Sequence, residues 1–147
     1  MNSCLVVVVV LCLTLLGSCA VAPRDLMSPG SEPVSYNLRL NLREGKLDAF
    51  RALMQEMVAA TKEEPGTLVY EWFLAADGKT CQINELFADT EAHRIHGEAF
   101  GAKFAERFMQ CIEVTGATVF GNPSAAARER LAGLSPAYLA AFGGFRR

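Results

Sequence analysis

Residues 67–87 read TLVYEWFLAADGKTCQINELF. The opening residues are aromatic and β-favouring, which predicts a strand over 67–75. Asp77-Gly78 follows, a dipeptide that strongly marks a tight hairpin. Residues 80–87 are then the returning strand. Upstream, Pro65-Gly66 ends a helix predicted over 47–62, where Leu47, Phe50, Leu53, Met54, Met57 and Val58 recur at three- and four-residue spacing. Before that helix, Val34, Tyr36, Leu38, Leu40 and Leu42 alternate with Ser35, Asn37, Arg39 and Asn41. This period of two marks a half-buried strand over 34–42. Downstream, Asp89 can cap a second helix with Glu91 in its first turn. Gly97 and Gly101 are expected to break that helix. Its second part runs over 103–111, with Phe104, Phe108 and Cys111 on one face. Residues 112–120 give a fourth strand, closed by Gly121-Asn122-Pro123.

The order β-α-β-β-α-β is the ferredoxin-like split arrangement of the α+β class, an antiparallel sheet with helices on one face. In the 67–75 strand one face reads Leu68, Tyr70, Trp72, Leu74 and the other Val69, Glu71, Phe73. Neither is plainly solvated, so the face away from the helices needs a cover. A second copy of the chain supplies one, and a homodimer is expected. In residues 122–147, Ser124 can cap a helix over 125–131. The apolar stretch beyond it is expected to pack on its own domain or on a partner.

The 147 residues hold 14 basic and 16 acidic side chains, a net charge of −2, which leaves no electrostatic footprint for nucleic acid. Hydrophobic residues make up 51 %, against disorder. The first charge is Arg24. Residues 5–16, LVVVVVLCLTLL, are too short for a bilayer span of about 20 residues and fit the apolar region of a secretory signal. Leu16-Gly17-Ser18-Cys19 resembles the lipobox of bacterial lipoproteins, which implies cleavage before Cys19 and its acylation. The first four residues lack the Lys or Arg usual in such signals. The stretch also fits a plainly cleaved signal, an uncleaved anchor, or a start at Met27 that would leave the domain cytoplasmic. Pro23, Pro29, Gly30 and Pro33 mark a tether. The expected organisation is a signal over 1–18, a tether over 19–33, a domain over 34–121 and a helical tail over 122–147. The domain would be exported and lipid-anchored in the cell envelope, touching membrane only through that anchor. Of five cysteines, only Cys81 and Cys111 fall in the domain, as buried thiols or, in an exported chain, as a bridge.

Nucleotide-binding glycine loops, HExxH and GxSxG are missing, and no Cys or His cluster has zinc-finger spacing. His93 and His96 are spaced i, i+3 and could chelate a metal, but no third ligand is assured and no metal is assigned. At about 100° per residue, Ala92, Ile95 and Ala99 define an inward stripe. His96 lies roughly 70° from its centre and His93 roughly 130°. His96 is therefore expected to lean into a pocket and His93 to be wet. Trp72, the only tryptophan, has an N–H that needs a partner when buried. Asn37 and Glu85 are polar groups on strands and need partners if buried. Each also has a plain structural use: a boundary histidine bonded to backbone, a core indole, a bridging amide. Together they put an amide, an indole, a carboxylate and an imidazole around one possible pocket.

Residues 64–73, EPGTLVYEWF, and 85–92, ELFADTEA, followed by His96 and the stretch 100–108, resemble the antibiotic biosynthesis monooxygenase (ABM) family over 34–121. The tail is similar to that of a quinol monooxygenase-like subgroup. The resemblance implies a dimeric α/β barrel, with two sheets face to face and helices outside. It implies a hydroquinone or polyphenol-like aromatic substrate oxidised with O2, with no metal, flavin or haem cofactor. Such chemistry needs a base, an oxyanion donor and a dry pocket. By resemblance His96 is the base or proton shuttle, Asn37 donates to the substrate oxygen and Trp72 walls the pocket. Glu85 orients or tunes a neighbour, and Tyr70, Phe100 and Phe104 join it in binding substrate. The rival readings are a non-catalytic, envelope-anchored dimer that binds a hydrophobic small molecule, and a haem-degrading monooxygenase.

Overall fold

The computed structural model describes residues 32–145. The expected signal, Cys19 and most of the tether lie outside the described residues. The chain runs β1 (Val34–Leu42), α1 (Leu47–Thr61), β2 (Thr67–Leu74), β3 (Thr80–Phe87), α2 (Thr90–Lys103), α3 (Ala105–Cys111), β4 (Ile112–Phe120), α4 (Ala125–Leu131) and β5 (Ala137–Leu139). The strands form one open sheet in the order β2-β3-β1-β4-β5, antiparallel throughout except for the β4–β5 pair. This is the expected ferredoxin-like order with a fifth strand added by the tail.

The alternation of β1 decides which face meets the helices. Leu40, Leu42, Cys81, Ile83 and Ile112 form one core cluster with Phe50, Leu53 and Met57 of α1 and with Phe108 and Cys111 of α3. Val34, Tyr36, Phe87 and Val119 form a second with Ala92 of α2 and Ala127 and Leu131 of α4. Fully burying one large apolar side chain contributes about 1.5–3 kcal/mol. A bulge between Arg39 and Leu40 lets β4 place Thr115 and Gly116 against one β1 residue, which keeps Val114 and Ala117 both opposite inward β1 positions. Cys81 and Cys111 are buried free thiols, and burial pushes the Cys81 thiol up to about 11.

The hairpin forms where Asp77-Gly78 predicts it. Gly78 takes φ +65°, and Asp77 Oδ1 accepts from the backbone N–H groups of Lys79 and Thr80 at 2.8 and 2.9 Å. At the opposite end of the hairpin Gly66 lies against α2, where an added Cβ would overlap that of Ala92. Asp89 caps α2 by accepting from Ala92 N–H at 2.8 Å, and Ser124 caps α4 through Ala127 N–H at 3.2 Å. Thr90 and Ser124 hydroxyls meet at 2.8 Å, so the two caps are tied and α4 is held beside α2.

Three expectations are corrected. The helix does not break at Gly97 or Gly101; α2 runs through both, ends at Lys103 and is capped by Phe104. Both glycines are exposed, and His96 and Phe100 anchor the same stretch from its inner side. The tail is not wholly helical. After α4 and a 3-10 turn over Ala132–Leu134 it adds β5, parallel to β4, with Gly121 N–H bonded to Leu139 O at 2.8 Å. Arg128 stacks over the Tyr138 ring at 4.2 Å. The helical wheel of α2 is also rotated. Ala92, His93 and His96 are the buried residues, whereas Ile95 is 46 % exposed.

Candidate active site

A cavity of about 520 Å³ lies between the inner sheet face and the helices α2, α3 and α4. Leu38, Met57, Ile83, Phe100, Phe108 and Leu131 supply apolar wall. That volume is within the range of small-molecule sites, about 300–1,000 Å³.

The strand register builds its polar floor. Glu85 of β3 is the cross-strand partner of Tyr36 on one side and of Tyr70 on the other, so the three share one rung facing inward. The Tyr36 hydroxyl donates to Glu85 Oε2 at 2.7 Å. His96 stands over this rung from α2, with its ring 5.0 Å from that of Phe87 and 5.4 Å from that of Tyr70. Its Nδ1 is 2.9 Å from Glu64 Oε2, and its Nε2 is 3.4 Å from Glu85 Oε2. Glu64, in the turn after α1, also accepts from the Thr67 hydroxyl at 2.8 Å. An imidazole held this way gives Nδ1–H to Glu64 and keeps Nε2 toward Glu85 and the cavity.

Burial sets the electrostatics. It pushes the Glu85 carboxyl up to about 6, while His96 and the Tyr36 hydrogen bond pull it down and Glu64 adds to the rise. Burial raises the Tyr36 phenol well above its ordinary value, and the Glu85 charge adds to that. Tyr70 is raised for the same two reasons, with a Thr61 hydrogen bond working the other way. His93 is lowered to about 4 by burial, with Arg130 and His96 adding to it. The arrangement can therefore accept a proton at Glu85 and pass it along His96 to Glu64, whose side chain is 15 % exposed.

Of the residues singled out from sequence, His96, Glu85, Tyr70 and Phe100 line this cavity. Asn37 does not. Its neighbours Tyr36 and Leu38 point inward, so its amide faces the other side of the sheet, where it donates to Asn84 Oδ1 at 2.6 Å and to Ile83 O at 3.2 Å. Trp72 sits one inward position beyond Tyr70, packed on Phe50 and Phe108 at 5.6 and 6.2 Å, behind the lining. Its Nε1 is buried with no hydrogen-bond partner among the described residues. Phe104 lies at the α2–α3 junction, packed against the core and beneath Arg107 at 5.7 Å. His93, expected to be wet, is 4 % exposed and lines the cavity.

Three site residues escaped the sequence. Glu64 belongs to the EPG turn, where no periodicity marks its charge, and Tyr36 fits the apolar alternation of β1, which hides its hydroxyl. His93 was misplaced by the wheel, because this part of the sheet presents Tyr36, Glu85 and Phe87 to α2 and can bury imidazoles. Among the described residues, no group of three or more His, Cys, Asp or Glu side chains is placed to hold a metal ion.

A family model described as antibiotic biosynthesis monooxygenase matches residues 33–107. The structure of MupZ from Pseudomonas fluorescens is similar at a TM-score of 0.69 and 20 % identity, covering 79 % of this chain and 95 % of that one. SnoaB from Streptomyces nogalater, a cofactor-independent oxygenase, is similar at a TM-score of 0.54 and 15 % identity, covering 63 % and 95 %. A conserved protein from Bacteroides thetaiotaomicron, described as a possible oxidoreductase, is similar at 0.55 and 17 %, covering 61 % and 97 %. At these identities the structural likenesses bear on the fold. None of the curated proteins matches the chain.

Proposed function

This chain belongs to the antibiotic biosynthesis monooxygenase family, and from that premise we propose that it oxidises a hydroquinone or polyphenol-like aromatic with O2, using its own side chains in place of a cofactor. The observation that supports this most is the placing of His96 between Glu64 and Glu85 at the floor of an apolar cavity. In the proposed reaction the pair Glu85–His96 takes a phenolic proton. The resulting phenolate gives an electron to O2, and the two radicals recombine on the ring. The ring peroxide so formed is protonated; loss of the C–H proton at that carbon breaks its O–O bond, leaving one oxygen as a carbonyl of the quinone product and releasing the other, with two protons, as water. Tyr36, donating to Glu85, holds the carboxylate in place, and Glu64 orients the imidazole and leads the proton toward solvent. The apolar wall keeps water from the radical pair.

An oxygen electrode with a panel of hydroquinones, beside a haem titration, tests this. Oxygen uptake without added metal, flavin or haem is expected. Binding of the aromatics with no uptake across the panel would instead favour a carrier, and tight haem binding a haem-degrading role.

The pH profile has a stated direction. Glu85 must be ionised to accept a proton, and burial has raised it to about 6. Oxygen uptake as kcat/KM should therefore rise with pH through about 6 and flatten above it. Because Glu85 and His96 are coupled, that limb belongs to the pair. Glu85→Gln should remove the limb; a limb left in place in this variant takes Glu85 out of the proton path.

Two features of setting complete the proposal. The outer sheet face exposes Phe73 and Phe120 at 52 and 39 % among polar groups, and a second copy packed there would form the two-sheet barrel. Light scattering of the exported domain should report twice the monomer mass, and a stable monomer would end that idea. The leader is proposed to anchor the domain in the envelope through acylated Cys19. Cys19→Ala should release it from membranes; a wild-type chain recovered soluble and beginning at Met27 would contradict this.

A further inference from the structure

His93 is a buried titratable group of the cavity that the proposed reaction does not use. Its ring packs edge-on against Tyr36 and Phe87 at 5.7 and 5.4 Å, yet its Nδ1 has no hydrogen-bond partner among the described residues. Leaving a buried polar atom without a partner is costly, so a ligand that completes it recovers that loss. Burial holds His93 near pKa 4. At neutral pH it is therefore an uncharged N–H donor rather than a cation.

The charge comes from its neighbours on the cavity rim. Arg94 and Arg130 both line the cavity. Arg94 is neutralised twice, by Glu91 at 2.6 Å and by Glu98 at 2.6 Å. Arg130, on α4, has no ion-pair partner among the described residues; Glu91, whose charge it feels, is already held by Arg94. It is close enough to His93 to depress its protonation. The rim therefore offers one uncommitted guanidinium beside one uncommitted imidazole.

We propose that the cavity takes an aromatic carboxylate, whose carboxylate is bound by His93 and Arg130 while its phenolic hydroxyl reaches Glu85 and His96. This rests on the oxygenase reading only for the direction in which the phenol points. His93 and His96 are three residues apart on α2, a rise of about 4.5 Å, and both rings contact the Phe87 ring, at 5.4 and 5.0 Å. A ring with its two oxygen groups para to one another spans such a pair. A carboxylate accepts from His93 N–H and also pairs the Arg130 charge, whereas a neutral quinol oxygen accepts without pairing it.

The test uses 4-hydroxy-1-naphthoate and its methyl ester, titrated under argon into the full chain and followed by ligand fluorescence. The acid should bind about tenfold or more tightly than the ester, the scale of one hydrogen bond to a charged group. Arg130→Gln should bring the two affinities together by weakening the acid, with ester binding unchanged, and His93→Phe should weaken the acid more than the ester. Arg130 is exposed, so if His93→Phe fails to fold, the Arg130 variant decides alone. Equal binding of acid and ester by the wild type, binding of neither, or an acid preference that survives Arg130→Gln overturns the proposal. Oxygen is excluded, so a chain that prefers the acid yet consumes no oxygen in air sinks the oxygenase reading and leaves this one standing.

Discussion

Replacing His96 with alanine should lower kcat for oxygen uptake by about 10²–10⁴, the usual loss when a positioned acid or base is removed. The imidazole bridges Glu64 and Glu85, at 2.9 and 3.4 Å, so its removal breaks the proposed proton path at the centre. It also removes the group that holds the Glu85 carboxyl down, so Glu85 should titrate still higher and be less ionised at neutral pH. Two carboxylates lose a partner, and some stability will go with it. Imidazole added to the solution separates the effects. It should restore part of the rate if the missing group is catalytic, and thermal unfolding measured alongside shows whether the fold has survived. A folded His96→Ala enzyme with wild-type rates would remove His96 from the mechanism.

Phe87→Ala should cost about 3–5 kcal/mol of stability, the range for truncating a fully buried aromatic ring. Phe87 is 0 % exposed and its ring touches those of Tyr36, His93 and His96 at 5.9, 5.4 and 5.0 Å. Deleting it opens a void beneath both histidines, which the rigid rung of Tyr36, Glu85 and Tyr70 cannot close. Against a typical domain stability of about 5–15 kcal/mol, the variant should lose its fold at modest denaturant. Phe87→Leu, which keeps most of the volume, should cost much less. Urea unfolding of the two variants checks this, and a loss below about 1 kcal/mol for Phe87→Ala would mean that the site collapses freely around the deletion.

Much of the fold was legible because its signals are local. Asp77-Gly78 fixes a hairpin by its own turn chemistry, and the alternation of residues 34–42 assigns each side chain of β1 to a face. That alternation already put Asn37 opposite Tyr36 and Leu38. As an amide that needs a partner if buried, and by family resemblance, Asn37 is expected at the pocket, yet the structure sets it across the sheet from the cavity. The rotation of α2 was not legible. A wheel built on Ala92, Ile95 and Ala99 assumes an aliphatic surface opposite, whereas the surface is aromatic and acidic and accepts two imidazoles. Gly97 and Gly101 have helix-breaking propensities of about 1 kcal/mol each, which packing along the other face outweighs. The joining of α4 to α2 depends on a bond between Thr90 and Ser124, 34 residues apart, and β5 is only three residues long. Neither leaves a periodic trace in the sequence. Glu64 was visible as part of a turn, but only the folded chain brings it to His96, 32 residues away.

The central claim is that the side chains of this cavity, with no added cofactor, place one atom of O2 on an aromatic ring. Its most direct test is isotope tracing with ¹⁸O2. The chelator-treated protein is mixed with the hydroquinone that gives the fastest oxygen uptake, and product and water are analysed by mass spectrometry. The account predicts one labelled oxygen in each product molecule and one in water, with both signals lost in His96→Ala. Product that carries no label, or labelled product formed equally by His96→Ala, would contradict it.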